Sequence, residues 1–393
     1  MERGRHRAPD VRGTRPEGAR RIVTSPPPAD VVCLGESMVT FLPSRPGPLA
    51  DVPAFQRAIG GAESNVACAL AGAGHRARWV SRVGADGFGD HLLRTITAAG
   101  VDTGAVERDP DRPTGVYFRT DGERATSLGG AGEGAGGPAS TAEVVYYRAG
   151  SAASAMAPDT VDLAAARSGR VLHLTGITAA LSAGCLALSR TLTAPYEGRP
   201  LVSFDVNYRV ALWRPPADPR VLLELARGCD LVFVGEDEAE AAWGVTGGAD
   251  AVRDALPEPA TLVVKHGAAG ATAYVRGGAD GSGDGAYGDG GDDAPYGDDR
   301  RVRVPAPRVD VVAPVGAGDA FAAGYLSAAL RGLPLRDRLR HGHLLAAAAL
   351  TVPGDLAEPP ARADVDRLAA LDHEAWGTLR LAPGWTTEKA TAP

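Results

Sequence analysis

The chain of 393 residues carries 41 basic and 48 acidic residues, a formal net charge of −7, and is 44% hydrophobic with only 5% aromatic side chains. That balance lacks the basic surplus of a nucleic-acid or anionic-membrane binder, and no apolar stretch reaches the roughly 20 residues of a membrane span. Cys33, Cys68, Cys185 and Cys229 lie far apart in no metal-ligand spacing; they read as reduced, buried side chains of a cytoplasmic protein.

In chain order, residues 1–30 come first, with seven Arg and the run Pro26, Pro27, Pro28. Without an apolar signal region they are expected to be a disordered tail. Beyond them, β-like runs at 31–34, 78–83, 171–174, 201–206, 231–234 and 261–264 alternate with Ala/Leu-rich helical stretches such as 64–73, 90–99, 221–227 and 237–243. The alternation predicts an α/β fold whose mainly parallel sheet is covered on both faces. Ligands of such sheets bind beyond the carboxyl ends of the strands. The runs at 38–42, 114–120 and 143–148 lack intervening helices and predict a small separate sheet.

Two stretches are too poor in apolar side chains to repay their ordering entropy and are expected to be surface insertions. They are 129–140 and 277–299, the second holding nine Gly and seven Asp. The first contains a formal GxGxxG at Gly132, Gly134 and Gly137. No strand precedes it and Pro138 follows, so it lacks the setting of a dinucleotide fingerprint.

Three constellations carry candidate chemistry. Gly60-Gly61 opens a helical stretch with Glu63, Ser64 and Asn65, and paired glycines let a ligand approach the backbone. Ser203 to Arg209 places Asp205, Asn207 and Arg209 at alternate positions, sharing one face of a strand or curling off its end. An arginine there suits a carboxylate or phosphate; a solvent-facing edge strand is the alternative. The sharpest signal is Val315-Gly316-Ala317-Gly318-Asp319 before a long helical run. Its exposed N–H groups suit an oxyanion. Asp319 fits either a helix-start residue or a base taking a proton from a substrate hydroxyl during phosphoryl transfer. No GxxxxGK[ST] is present, which excludes a P-loop.

Taken together, 60–87 and 314–327 resemble the two signatures of the PfkB/ribokinase family of carbohydrate kinases, and the resemblance runs from about 31 to 375. Within that family LGESMVTF, VVYYRAGSAASAM, LHLTGITAAL and FDVNYRVALW look most like 2-keto-3-deoxygluconate kinases. The resemblance implies a ribokinase-like α/β core with a β-sheet lid: one domain over 31–380, lid strands near 38–58, 112–127 and 142–149, and a disordered tail at 381–393. It implies Asp319 as catalytic base, with Gly316, Ala317 and Gly318 as its anion hole. Gly61, Asn65, Tyr117, Tyr146, Arg148, Ile177, Asp205, Asn207, Arg209 and Asp355 fall at the substrate, the arginines near its carboxylate. Lys265, Gly267 and Gly270 fall at ATP, and Glu238 in an Asn-x-x-Glu motif tied to Mg2+, with no direct metal ligand assigned. A sugar-acid substrate, no nucleic-acid or membrane partner and a homo-oligomer paired through the lid complete the expectation. The chain departs from the pattern at Gly235, where the motif has Asn, and at Ala313, where the family commonly has an Asp that helps bind a monovalent cation. The expected activity is conversion of 2-keto-3-deoxygluconate to its 6-phosphate; a neutral-sugar kinase and a non-catalytic sugar sensor are the alternatives.

Overall fold

The structure, a computed structural model, describes residues 28–120, 144–213, 217–277, 294–354 and 356–387. The insertion at 129–140, most of the one at 277–299 and the candidate Asp355 lie outside the described residues.

Strand formation follows from segments apolar on both faces. In Val31–Leu34, Val31 and Cys33 pack into one core while Val32 and Leu34 pack into the other, and Leu231–Gly235 divides the same way. Such a strand is stable only between two helical layers. The resulting sheet runs 294–296, 299–304, 271–276, 261–265, 231–235, 201–205, 171–175, 31–34, 77–84, 102–109 from edge to edge. From 261–265 onward the pairing is parallel, and the first three strands are antiparallel.

The parallel register has a direct consequence for function. Thr175 and Phe233 both pair with Asp205, and Gly235 pairs with Lys265, so Thr175, Asp205, Gly235 and Lys265 emerge at one edge of the sheet.

A four-stranded sheet stands beside this core, ordered 55–60, 38–43, 116–119, 144–147. An aromatic ladder holds it: the Phe41 and Phe118 rings stack at 4.7 Å, Phe55 meets Phe118 edge-on at 5.2 Å, and Tyr117 lies 5.4 Å from Tyr146. The expected lid is therefore present as a separate sheet.

Several expectations need correcting. The stretch 277–299 does not end unpacked, because Ala294–Tyr296 pairs with Asp299–Val304 and the Tyr296 ring meets Tyr274 edge-on. Residues 381–387 are not a loose tail: Leu381 pairs with Val309, and Trp385 is buried in the core. At the other end Ala29 is buried and Asp30 accepts from the Arg76 backbone and guanidinium, so the fold begins before residue 31. All four cysteines are free and buried, and among the described residues no helix is long and apolar enough to cross a membrane.

Gly270 was matched to the nucleotide, yet the fold itself requires it. Its φ is +116°, and an added Cβ would stand 2.2 Å from the Val304 carbonyl oxygen. Gly270→Ala is expected to cost roughly 2–4 kcal/mol from backbone strain plus overpacking, read as a lower urea midpoint at unchanged m-value.

Candidate active site

Asp319 occupies the first turn of the helix Ala317–Leu330, whose N-cap, Gly316, has φ 70° in the left-handed region. That backbone favours glycine and turns the helix's first N–H groups outward together. Two amides from distant elements reach its carboxylate: Asn65 Nδ2 donates to Oδ2 at 2.9 Å and Asn207 Nδ2 to Oδ1 at 3.4 Å. Burial pushes the carboxyl up to about 7, the nearby Asp205 and Glu63 carboxylates push the same way, and the Asn65 bond and Arg209 oppose them. At neutral pH Asp319 is poised between its two protonation states.

Asn65 reaches Asp319 because Gly61 starts its helix, Ala62–Gly72, against the neighbouring loop. A Cβ on Gly61 would stand 2.4 Å from the Glu36 carbonyl oxygen. Asn207 reaches it from a second direction. The strand 201–205 ends at Asp205, and Asn207, at φ 39°, is the one non-glycine residue of positive φ among those described. The chain thus curls off the strand, which resolves the two readings of this motif. Such backbone is tolerated best by Asn and clusters at functional sites.

Asp205 and Lys265 form a second centre. The Lys265 ammonium donates to both Asp205 oxygens at 3.0 Å, and its Nζ lies 3.7 Å from where a Cβ on Gly318 would sit. Burial disfavours the charged amine, but Asp205, Glu238 and Asp319 more than offset it and hold its pKa above the usual value. Lys265 therefore stands beneath the glycine turn, closer to the reacting end than the sequence match implied. Gly267 lies two residues on, in a short 3-10 turn.

Arg209 and Glu238 complete this side. Arg209 Nη1 is 3.8 Å from Glu238 Oε1, and the arginine side chain is 43% exposed. Glu238 Oε2 accepts from the Gly235 N–H at 2.7 Å, and burial raises its pKa. The glutamate thus caps the backbone of its own helix start. Ala313 bonds through its N–H to the Leu350 carbonyl at 3.3 Å.

On the lid, Tyr117 and Tyr146 are cross-strand neighbours, Tyr117 buried and Tyr146 exposed. Arg148 follows them with its guanidinium 5.6 Å from the Tyr146 ring, and its Nη2 pairs with buried Glu36. Its Nε is buried with no hydrogen-bond partner among the described residues. Ile177 begins a short helix turn and donates its N–H to Thr175 Oγ1 at 3.2 Å.

Two carboxylates carry no role of their own in the sequence reading. Glu63 is fully buried, and its Oε1 accepts from Thr175 and Thr178 hydroxyls at 2.7 Å each. It therefore ties the Gly61–Asn65 helix start to the turn that carries Ile177, and burial pushes its carboxyl up to about 7. Glu36 accepts from Arg148 and Ser151. The available signal was an acid inside each of two glycine-bearing segments, LGESM and GGAES.

Comparison with known proteins follows the same lines. The profile of the pfkB family carbohydrate kinases matches residues 28–362. A 2-dehydro-3-deoxygluconokinase of Thermoproteus tenax is 31% identical over 341 residues, covering 86% of this chain and 93% of that protein. A probable chloroplastic fructokinase of Arabidopsis thaliana is 30% identical over 339 residues, 82% of this chain and 77% of that protein. The crystal structure of a PfkB protein from Polaromonas sp. JS666 superposes with a TM-score of 0.67 at 32% identity, covering 86% of this chain and 99% of that one.

Two titrations test the electrostatics. Asn65 donates to the ionised Asp319, so Asn65→Ala should raise the Asp319 pKa further above about 7, read by carboxyl-carbon NMR; an unchanged value would remove Asn65 from that role. Glu63 holds its proton more tightly folded, at about 7 against an ordinary 4.5. The folded state then binds the extra proton between these values, so stability should fall as pH rises through that window. Glu63→Gln should flatten the decline, measured by urea unfolding at pH 5 and pH 8.

Proposed function

The chain belongs to the pfkB family of carbohydrate kinases, and on that premise we propose that it transfers the γ-phosphoryl of ATP to the primary hydroxyl of 2-keto-3-deoxygluconate, giving the 6-phosphate. As a member of that family it is a phosphotransferase with an alcohol acceptor. The observation that carries the mechanism is Asp319 held between Asn65 and Asn207 at the start of a helix opened by glycine.

In this mechanism Asp319, ionised, accepts the proton of the acceptor hydroxyl as its oxygen attacks the γ-phosphorus. The bond from that phosphorus to the β-γ bridging oxygen breaks, and ADP leaves. The N–H groups of Gly316, Ala317 and Gly318 face the charge that develops on the transferred group, and the ammonium of Lys265 below them adds a fixed positive charge. Among the described residues no cluster of three metal-ligating side chains stands ready. Mg2+ enters with phosphates and water and needs only one or two protein carboxylates. Asp205 and Glu238 would supply these, and the bound ion would neutralise phosphate charge.

Acid specificity rests on the likeness to the 2-dehydro-3-deoxygluconokinase, the same sugar acid under another name, and on Arg148 and Arg209 at the lid and core sides of the site. A kinase for a neutral ketose is the second reading, favoured by the carboxylates that both arginines already face and by the fructokinase likeness. The exposed Val145, Tyr146 and Tyr147 on the lid's edge strand support pairing of two lids.

A panel of ATP with 2-keto-3-deoxygluconate, fructose and ribose separates these readings. Turnover of the acid is expected to be at least about tenfold faster in kcat/KM, and equal or faster turnover of fructose would sink the acid assignment. Arg209→Ala should raise KM about tenfold or more for the acid and little for a ketose. Asp319→Asn should lower kcat by roughly 10²–10⁴ with acceptor binding retained, measured by titration calorimetry; an unchanged rate removes Asp319 as base.

A further inference from the structure

We propose that Glu36 positions Arg148 for the phosphoryl acceptor, so that a core carboxylate and a lid guanidinium work as one unit. The inference rests on reading Arg148 as an acceptor contact. Glu36 follows the core strand Val31–Leu34, whereas Arg148 follows the lid strand Val144–Tyr147. Their ion pair therefore crosses the boundary between the two sheets, linking residues 112 positions apart.

The pair is deep: the side chain of Glu36 is 1% exposed and that of Arg148 11%. Charges this far from water persist only where partners and geometry are fixed. Both Glu36 oxygens are engaged, Oε2 by Arg148 Nη2 and Oε1 by the Ser151 hydroxyl at 2.8 Å. The Ser151 N–H in turn donates to the Arg148 carbonyl at 3.0 Å. One carboxylate thus grips both ends of a single turn, fixing the position and the direction of the guanidinium. Gly115 leaves the room for this, since a Cβ there would stand 3.1 Å from Glu36 Oε1 and 3.0 Å from Met38.

Among the described residues Arg148 Nε is buried without an acceptor, while Nη2 is held by Glu36. Unsatisfied buried donors are rare and point to a ligand or a working role. A carboxylate or hydroxyl of the acceptor is the partner that this nitrogen lacks. Arg148 also lies beside the Tyr146 ring, on the lid strand whose Tyr117 neighbour is buried.

The test is a double-mutant cycle in steady-state kinetics on the full chain with Mg-ATP. Glu36→Gln is expected to raise KM for the acceptor about tenfold while KM for ATP stays within about twofold. Arg148→Met should raise the acceptor KM at least as much, and the double variant should match Arg148→Met within about twofold, because Glu36 acts only through the arginine. Glu36→Asp, which keeps the charge, should recover part of the loss. An unchanged acceptor KM in Glu36→Gln, a parallel rise for ATP, or multiplying effects in the double variant would overturn the assignment. If Glu36→Gln does not fold, the same cycle is run with Glu36→Asp, whose smaller rise in acceptor KM should vanish on the Arg148→Met background; a rise that persists there overturns the assignment equally. The wild-type preference between the sugar acid and fructose judges the substrate reading separately, and the cycle is run on whichever acceptor is turned over.

Discussion

Everything at the site depends on keeping one carboxylate, Asp319, buried at the positive end of a helix. A helix start by itself would depress the pKa of Asp319 and leave it a cap. Here burial and the neighbouring Asp205 and Glu63 act in the other direction, and the balance lies at about 7. The two amides that orient it come from residues 254 and 112 positions away, so this arrangement exists only when three separate elements have met.

The charges around it follow one scheme. Acids at the strand ends are buried, and each is given a specific partner: Lys265 for Asp205, the Gly235 N–H for Glu238, two threonine hydroxyls for Glu63, and Arg148 with Ser151 for Glu36. Unpaired, each would carry the desolvation cost of a buried charge or give up its proton state to its surroundings. Two of these pairs also tie segments together, Glu63 joining a helix start to the Ile177 turn and Glu36 joining core to lid. Electrostatic satisfaction and the joining of distant segments are thus achieved by the same contacts.

Lys265 shows how local pattern and spatial role diverge. Its strand and the glycines after it resemble a nucleotide loop. The parallel register nevertheless sets Lys265 level with Gly235, two residues beyond the level of Asp205, and its long side chain reaches back to that aspartate. Gly270 diverges likewise, since a close approach to Val304 explains it without any ligand. Residues 294–296 differ from expectation because composition reports whether a stretch can build a core of its own. It does not report whether an existing core will accept it, as it accepts Trp385.

The sequence by itself determined the α/β alternation, the separate small sheet, and Asp319 within its glycine turn, since periodicity and turn chemistry are local properties carried by neighbouring residues. Asn65, Asp205, Asn207 and Arg209 were legible as polar residues at places where strands and helices begin or end. Which of them face one another, how Asn207 curls off its strand to reach Asp319, and that Lys265 sits under Gly318 follow from packing, as do the buried partners of Glu36 and Glu63. A buried carboxylate is recognised by its partners, and those partners are brought to it by sheet register and layer packing across more than a hundred residues, a distance over which local sequence pattern carries no signal.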